Sequence, residues 1–154
     1  MDLKGQNVAN YRKQSGPKFT EPVALDVLLQ MLTAIENMHT AGIIHRDVKP
    51  SNFVMGKPGT EEQNQVFLVD FGLAKEHLDM STMQPHPQRR NTDFRGTIPY
   101  ASLTAHLKQE LSRKDDLWSF FFIILEFLDE PLSWKQNNDK DSVRDHKQKA
   151  FQKP

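Results

Sequence analysis

Three polar side chains, Asp47, Lys49 and Asn52, lie close together in segment 45–52, which reads His-Arg-Asp-Val-Lys-Pro-Ser-Asn. A carboxylate such as that of Asp47 can accept a hydrogen bond from an incoming hydroxyl group and orient it for attack. The amide oxygen of Asn52 is a hard ligand suited to Mg²⁺, and Lys49 supplies a mobile positive charge for a phosphoryl group. This spacing predicts chemistry on a magnesium-bound phosphate.

A second candidate metal ligand, Asp70, opens the tripeptide Asp-Phe-Gly directly after the apolar run 66–69. A strand over that run would deliver the Asp70 carboxylate into the same cleft as Asn52, and Gly72 would let the backbone turn away. Alone, the tripeptide is common and fits an ordinary turn at the end of a strand. In the correct order after the motif in segment 45–52, it favours a site for metal and phosphate.

The apolar pattern ahead of these groups predicts two helices. Residues 6–14 are expected to form a short polar helix. A longer helix begins near Glu21, because apolar side chains recur at helical spacing from Val27 to Met38 and form one stripe that faces a core. This helix leads the chain into the segment that carries Asp47.

The sequence after segment 45–52 predicts a hairpin, an exposed segment and two further helices. Short apolar runs at 52–55 and 66–69 flank a polar loop and predict paired strands. Residues 76–93 lack apolar periodicity and predict an exposed, irregular segment. Residues 116–128 are apolar on nearly every side, as in a helix surrounded by protein, and residues 139–154 predict an amphipathic helix.

Composition narrows the class of protein. At 154 residues the chain is long enough for one domain, and its 20 Lys and Arg balance its 20 Asp and Glu, so overall charge favours neither nucleic acid nor a membrane surface as partner. No apolar run is long enough to cross a bilayer as a helix. The chain has no cysteine, which fits a cytoplasmic or nuclear location. The histidines lack the spacing of a zinc site.

Together these motifs resemble the C-terminal lobe of a protein kinase. Segment 94–102, Phe-Arg-Gly-Thr-Ile-Pro-Tyr-Ala-Ser, and segment 113–119, Arg-Lys-Asp-Asp-Leu-Trp-Ser, are similar to the casein kinase I branch and within it to tau-tubulin kinases. The similarity continues through residues 131–134 and the basic tail. It implies a mainly α (α+β) fold of helices with a small β-hairpin, without the N-terminal β lobe.

The resemblance also implies domain boundaries. Residues 1–154 would be a partial kinase domain, from the end of the interlobe hinge to about the αG region, with residues 76–97 as the activation segment. The Gly-rich loop, the strand lysine and the partner glutamate helix have no counterpart here, and neither do the last helices of the C-terminal lobe. Apolar surface on Phe120, Phe122 or Ile123 is therefore expected to stay uncovered.

Site roles follow from the resemblance, position by position. Asp47, Lys49 and Thr97 would be catalytic, with Thr97 hydrogen-bonded near the other two. Lys49, Asn52 and Asp70 would contact ATP, and Asn52 and Asp70 would bind Mg²⁺. A lysine at position 49 is typical of serine/threonine rather than tyrosine kinases.

Two features outside this set also follow from the resemblance. Asp116 would brace the backbone of the catalytic segment. Pro99 stands where the branch usually has an arginine that helps to receive a phosphorylated or acidic substrate residue, which puts that preference in question. Arg89, Arg90 and Arg95 could compensate, because guanidinium groups pair well with phosphate and carboxylate, or they could form a solvated basic loop.

Two functions stay open at this point. The first is an ATP-dependent protein serine/threonine kinase of casein kinase I or tau-tubulin kinase type, with ATP and Mg²⁺ as cofactors and an acidic or cytoskeletal protein as substrate. The isolated chain would show little turnover, because phosphoryl transfer depends on positioning by both lobes. The second is a noncatalytic interaction module or pseudokinase-like lobe. Intact Asp47, Asn52 and Asp70 count against the second.

Overall fold

Helices dominate the part of the chain that the structure describes, with short strands between them. The computed structural model describes residues 4–14, 19–90, 92–128 and 132–151. The helices are α1 (Val8–Gln14), α2 (Glu21–Thr40), α3 (Leu103–His106), α4 (Arg113–Phe127) and α5 (Lys140–Phe151). The strands are β1 (Ile43–Ile44), β2 (Phe53–Met55), β3 (Val66–Leu68), β4 (Lys75–Glu76), β5 (Leu78–Asp79) and β6 (Gln84–Pro85). The mainly α prediction with a small hairpin is confirmed.

The two predicted N-terminal helices are both present. Helix α1 begins later than predicted, because the Asn7 side chain accepts a hydrogen bond from the Asn10 backbone N–H at 2.9 Å and so caps the first turn. Helix α2 begins at Glu21 as predicted, with a proline in its first turn, where the missing N–H costs nothing. Its buried stripe forms the centre of the core: Ala24, Val27, Leu28, Met31, Ile35 and Met38.

The predicted hairpin is formed by β2 and β3, with Phe53 opposite Leu68. Helix α2 supports it, because the Gln30 side chain accepts a hydrogen bond from the Val66 backbone N–H at 2.9 Å. Beyond the ladder, the Val69 backbone N–H donates to the Asn52 backbone oxygen at 2.9 Å. The pairing therefore ends with Asn52 beside the residue that precedes Asp70.

The prediction of a wholly irregular segment 76–93 is wrong in part. Strand β4 pairs with β1, and β5 pairs with β6 so that Leu78 lies opposite Pro85. The Asp79 carboxylate accepts the Ser81 backbone N–H at 2.8 Å and closes the turn between β5 and β6. These pairings use backbone groups over two residues at a time, which leaves no apolar alternation to detect. Residues 80–90 are exposed, as predicted.

Helix α4 begins at Arg113, earlier than the predicted start at residue 116. The Asp115 carboxylate accepts the Ser112 backbone N–H at 2.7 Å, which satisfies a donor at the helix start. Further along, Phe120, Ile123 and Phe127 pack into the core that α2 builds. The first turn of helix α4 therefore contacts segment 45–52, and the middle of the helix lies in the core.

The expectation of uncovered surface on Phe120, Phe122 or Ile123 is wrong, because these side chains are 5%, 1% and 0% exposed. Phe120 and Ile123 face α2, while a second cluster covers Phe122 with Leu132, Trp134 and Val143. The exposed apolar side chains of α4 are instead the neighbouring Leu117, Trp118 and Phe121.

The amphipathic helix predicted for residues 139–154 is α5, and residues 152–154 and 129–131 lie outside the described residues. Val143 and Lys147 of α5 are buried, whereas the half-buried Arg144 pairs with the exposed Asp141 and Asp145. Among the described residues, no helix combines the length and the apolar character that crossing a membrane requires.

Candidate active site

The backbone of segment 45–52 is held by the buried side chain of Asp116 at the start of α4. Its two carboxylate oxygens accept the backbone N–H groups of His45 and Arg46, each at 2.8 Å. The His39 ring contacts the same carboxylate at 2.8 Å from the end of α2. Arg46 has a positive φ of 68°, a conformation that costs a non-glycine residue free energy. Asp116 therefore holds a strained turn directly before Asp47.

Asp47, Lys49 and Thr97 form one hydrogen-bonded group. The Thr97 hydroxyl donates to Asp47 Oδ1 at 2.6 Å, and Lys49 Nζ lies 2.7 Å from Asp47 Oδ2 and 3.1 Å from Thr97 Oγ1. The Asp47 side chain is only 10% exposed. The Asn52 amide also lies 3.5 Å from Asp47 Oδ2. Since a carboxylate has about four acceptor positions, these three partners leave Asp47 able to accept a further hydrogen bond.

Asn52 and Asp70 lie on either side of the hairpin end. The Asn52 side-chain N–H donates to the Asp47 backbone oxygen at 2.9 Å, which fixes the amide and leaves its oxygen as the atom that could bind a cation. Asp70 is exposed, with φ 64° and ψ 67°, and its carboxylate accepts the Gly72 backbone N–H at 3.4 Å. The structure therefore brings Asp47, Asn52 and the backbone of Asp70 to one place.

These donors fit Mg²⁺ as one amide oxygen and one carboxylate. Among the described residues there is no cluster of three or more His, Cys, Asp or Glu side chains that could hold a metal ion without other ligands. Mg²⁺ usually takes one or two protein oxygens and completes its shell with water and substrate phosphates. The donor set therefore suits a magnesium ion that arrives with a nucleotide.

The loop that carries Thr97 approaches the catalytic segment closely. Gly96 has φ 105°, and a Cβ at this position would lie 2.9 Å from the Arg46 backbone oxygen. After it, the backbone N–H groups of Tyr100 and Ala101 both donate to the Thr97 backbone oxygen at 2.9 Å. A glycine and a tight turn thus set the distance from Thr97 to Asp47.

A basic cluster lies beside this loop. Arg46, Arg89, Arg90 and Arg95 line a cavity of about 230 Å³ together with Glu110. Arg89 Nε lies 2.8 Å from one Glu110 oxygen, and Lys75 Nζ lies 2.7 Å from the other. Hydrogen bonds from Arg89 and then Lys75 hold the pKa of Glu110 at about 2. Burial, and next the charges of Arg89 and Arg95, lower the pKa of Arg46.

The structure adds contacts that the sequence pattern did not predict. Lys147 of α5 is fully buried against the loop that carries Thr97, and Glu110 neutralises part of the basic cluster. Lys147 had a signal in the sequence, because Val143, Lys147 and Phe151 recur every four residues and fall on one helix face. Glu110 had none, since its partners Lys75 and Arg89 are distant in the chain.

Comparison with known proteins places this geometry in a family. Residues 2–153 match the family model described as protein kinase domain. A probable serine/threonine-protein kinase of Dictyostelium discoideum is 41% identical over 150 residues, which cover 97% of this chain and 30% of that protein. Casein kinase I homolog 1 and casein kinase I homolog 2 of Saccharomyces cerevisiae are each 37% identical over 135 residues, 88% of this chain and 25% of each of those proteins.

The chain spans less than a third of the length of these curated relatives. The predicted resemblance to protein kinases is confirmed, and casein kinase I homologues are among the relatives. Since the family model matches almost the whole chain, this chain belongs to the protein kinase domain family.

Proposed function

We propose that this chain carries the phosphoryl-transfer site of an ATP-dependent protein serine/threonine kinase of the casein kinase I and tau-tubulin kinase type. One observation carries the proposal: the Asp47 carboxylate is bonded to Thr97 at 2.6 Å and to Lys49 at 2.7 Å while its backbone oxygen holds the Asn52 amide at 2.9 Å. The names of the relatives, a probable serine/threonine-protein kinase and casein kinase I homologues, support it.

In this mechanism Asp47 accepts a hydrogen bond from the serine or threonine hydroxyl of the substrate and orients its oxygen for attack. Thr97 holds the Asp47 carboxylate in register, and its hydroxyl also accepts from Lys49. Lys49 adds positive charge where the phosphoryl group is transferred. These three side chains need no rearrangement to act together, because they are already hydrogen-bonded.

Asn52 and Asp70 would hold Mg²⁺ bound to ATP, through the amide oxygen and the carboxylate. When bound, the ion neutralises charge on the phosphate groups. The bond from the Val69 backbone N–H to the Asn52 backbone oxygen supports this assignment, because it ties the end of β3, next to Asp70, to segment 45–52.

For the substrate we propose an acidic or cytoskeletal protein. Pro99 cannot bind an anion through its side chain, so the preference would rest on Arg89, Arg90 and Arg95, which line one cavity with Arg46. Glu110 pairs with Arg89, and Arg95 lies 3.5 Å from Asp93, so Arg90 is the one of the three without an ion pair among the described residues. The cysteine-free composition agrees with action in the cytoplasm or nucleus.

The test is transfer of labelled phosphate from ATP to casein and to tubulin by the purified chain, followed by identification of the modified amino acid. We expect slow transfer, because the site described here holds one side of the nucleotide only, and we expect the label on serine or threonine. The variant Asp47→Asn should abolish the transfer, whereas Glu61→Gln, which changes an exposed carboxylate outside the site and the basic cluster, should leave it unchanged.

Fluorescent-nucleotide binding is a second measurement on the same chain. Binding that requires Mg²⁺ and is lost in Asp70→Ala would support the assignment of Asp70. Label on tyrosine, or equal transfer by Asp47→Asn, would contradict the proposal. The absence of both transfer and magnesium-dependent binding would favour the noncatalytic interaction module.

A further inference from the structure

A fully buried lysine lies behind the loop that carries Thr97. Lys147 of α5 is 0% exposed, although lysine is almost never buried without partners. Its Nζ donates to the backbone oxygens of Ile98 at 2.9 Å and Ala101 at 2.6 Å, and lies 3.4 Å from His106 Nε2. The ammonium group also faces the rings of Phe122 at 4.7 Å and Trp134 at 5.5 Å.

The loop is therefore held from two sides. On one side Thr97 bonds to Asp47 and Lys49, and Gly96 lies against the Arg46 backbone oxygen. On the other side Lys147 donates hydrogen bonds to two carbonyl groups of the loop. Trp134 adds a third contact on that side, because its ring N–H donates to the Pro99 backbone oxygen at 3.0 Å.

We infer that Lys147 is a positioning residue for phosphoryl transfer: its buried ammonium group holds the carbonyls of Ile98 and Ala101 and thereby fixes Thr97 against Asp47 and Lys49. The consequence for transfer rests on the function proposed above, but the contact itself does not. The two hydrogen bonds from Lys147 match in number the internal bonds of the turn, from Tyr100 and Ala101 to Thr97, so this single side chain is a strong restraint on the turn.

A purely structural role would have a different consequence. If Lys147 only filled space, its replacement by methionine would either loosen the whole domain or have no effect. If it holds the loop, the replacement should release the turn 97–101 while the core around α2 stays intact. Hydrogen exchange separates these outcomes, because it reports each backbone N–H by itself and needs neither nucleotide nor substrate.

The experiment is amide hydrogen exchange by NMR on the full chain, with Lys147→Met compared with Lys149→Met, an exposed lysine on the same helix. We expect exchange at Tyr100 and Ala101 to be at least about tenfold faster in Lys147→Met, with the amides of Met31 and Ile35 unchanged. Lys147→Arg, which keeps the positive charge, should restore part of the protection. Unchanged exchange in the loop, or a uniform rise across loop and core, would overturn the inference.

Trp134→Phe gives an independent variant should Lys147→Met fail to fold. It removes the hydrogen bond to the Pro99 carbonyl, together with the pyrrole half of the indole, and keeps one aromatic ring. It should therefore raise exchange in the same turn, by less than Lys147→Met. No change there would count against a loop held by its carbonyls. In the phosphate-transfer assay, Lys147→Met should lower kcat and leave the KM for ATP unchanged. A chain with neither transfer nor magnesium-dependent nucleotide binding would count against the proposed function, and the exchange result would then decide the role of Lys147 by itself.

Discussion

At the scale of single residues, the site depends on side chains that hold the backbone as much as on those that face the substrate. Asp116 accepts two backbone N–H groups next to Asp47, and Lys147 donates to two carbonyls next to Thr97. Each is a buried charged group whose hydrogen bonds connect elements distant in sequence. The geometry of Asp47 and Thr97 is thus set from opposite sides by one acid and one base.

Replacement of Asp116 tests the first of these contacts. In Asp116→Asn, a single amide oxygen would have to serve donors from His45, Arg46 and His39, so at least one buried N–H group loses its partner. We expect the free energy of unfolding in urea to fall by about 3 kcal/mol. Glu61→Gln, which alters an exposed carboxylate, is the control. A loss equal to that of the control would contradict the bracing role.

The pH dependence of stability tests the environment of Lys147. Burial lowers the pKa of Lys147 to about 7 from an ordinary value of 10.5, so between these values the unfolded chain binds more protons than the folded chain. Stability should therefore rise with pH through this window, by at most about 1.4 kcal/mol per pH unit. The titratable group that contacts Lys147 is His106, whose pKa burial and then Lys147 lower to about 4, so it stays neutral throughout.

The measurement is the free energy of unfolding at several pH values between 7 and 10 for the natural chain and for Lys147→Met. The variant should lack this rise, because methionine does not titrate. Parallel pH profiles for the two proteins would show that Lys147 has an ordinary pKa in the folded state.

At the scale of elements, the site is assembled where short pieces of irregular backbone meet regular ones. Segment 45–52 follows α2, Asp70 follows β3, and the loop with Thr97 lies between β6 and α3. Among the described residues, the regular structure within these pieces is limited to single 3₁₀ turns, Pro50–Asn52 in the first and Phe71–Leu73 directly after Asp70. Their relative positions therefore depend on contacts between elements, among them the close approach of Gly96 to Arg46.

Two glycine substitutions test how strongly the close approach of Gly96 to Arg46 constrains the loop. Gly96 and Gly59 both have positive φ, at 105° and 79°, but a Cβ at Gly59 would meet no atom within 4 Å, whereas one at Gly96 would lie 2.9 Å from the Arg46 oxygen. Gly59→Ala should cost about 1 kcal/mol of unfolding free energy from backbone strain. Gly96→Ala should cost at least about 1 kcal/mol more. Equal losses of unfolding free energy in thermal unfolding would mean that the loop shifts to accommodate the added methyl group at no measurable cost.

At the scale of the whole molecule, the surface carries an apolar patch formed by α4 and α5. Leu117, Trp118 and Phe121 of α4 and Phe151 of α5 surround a cleft of about 420 Å³ and are each between 37% and 44% exposed. Their aromatic rings contact one another, with the rings of Trp118 and Phe151 centred 5.1 Å apart. A contiguous apolar surface of this kind promotes association.

A single substitution in the apolar patch should reduce association of the protein. Leu117→Gln should reduce the binding of a hydrophobic fluorescent dye and the concentration-dependent growth of particle size in light scattering. The control is Leu128→Gln, because Leu128 is 56% exposed but does not line the cleft. This variant should change neither dye binding nor the growth of particle size. Identical behaviour of the two variants would mean that the patch does not drive association.

The sequence alone determined the resemblance to protein kinases and the main elements of this protein. Helix α2 was predictable from its helical apolar stripe, the hairpin of β2 and β3 from two short apolar runs, and α5 from a mostly charged stretch with few apolar residues. Asp47, Asn52 and Asp70 were identifiable as candidate site residues because their motifs are short and contiguous. Only the tertiary structure decided which helix covers Phe122, how residues 78–85 pair, and that Lys147 and Glu110 hold the loops beside the site. Those outcomes depend on contacts between residues far apart in the chain: local periodicity places Lys147 on the same helix face as Val143 but carries no signal for the partners that it meets.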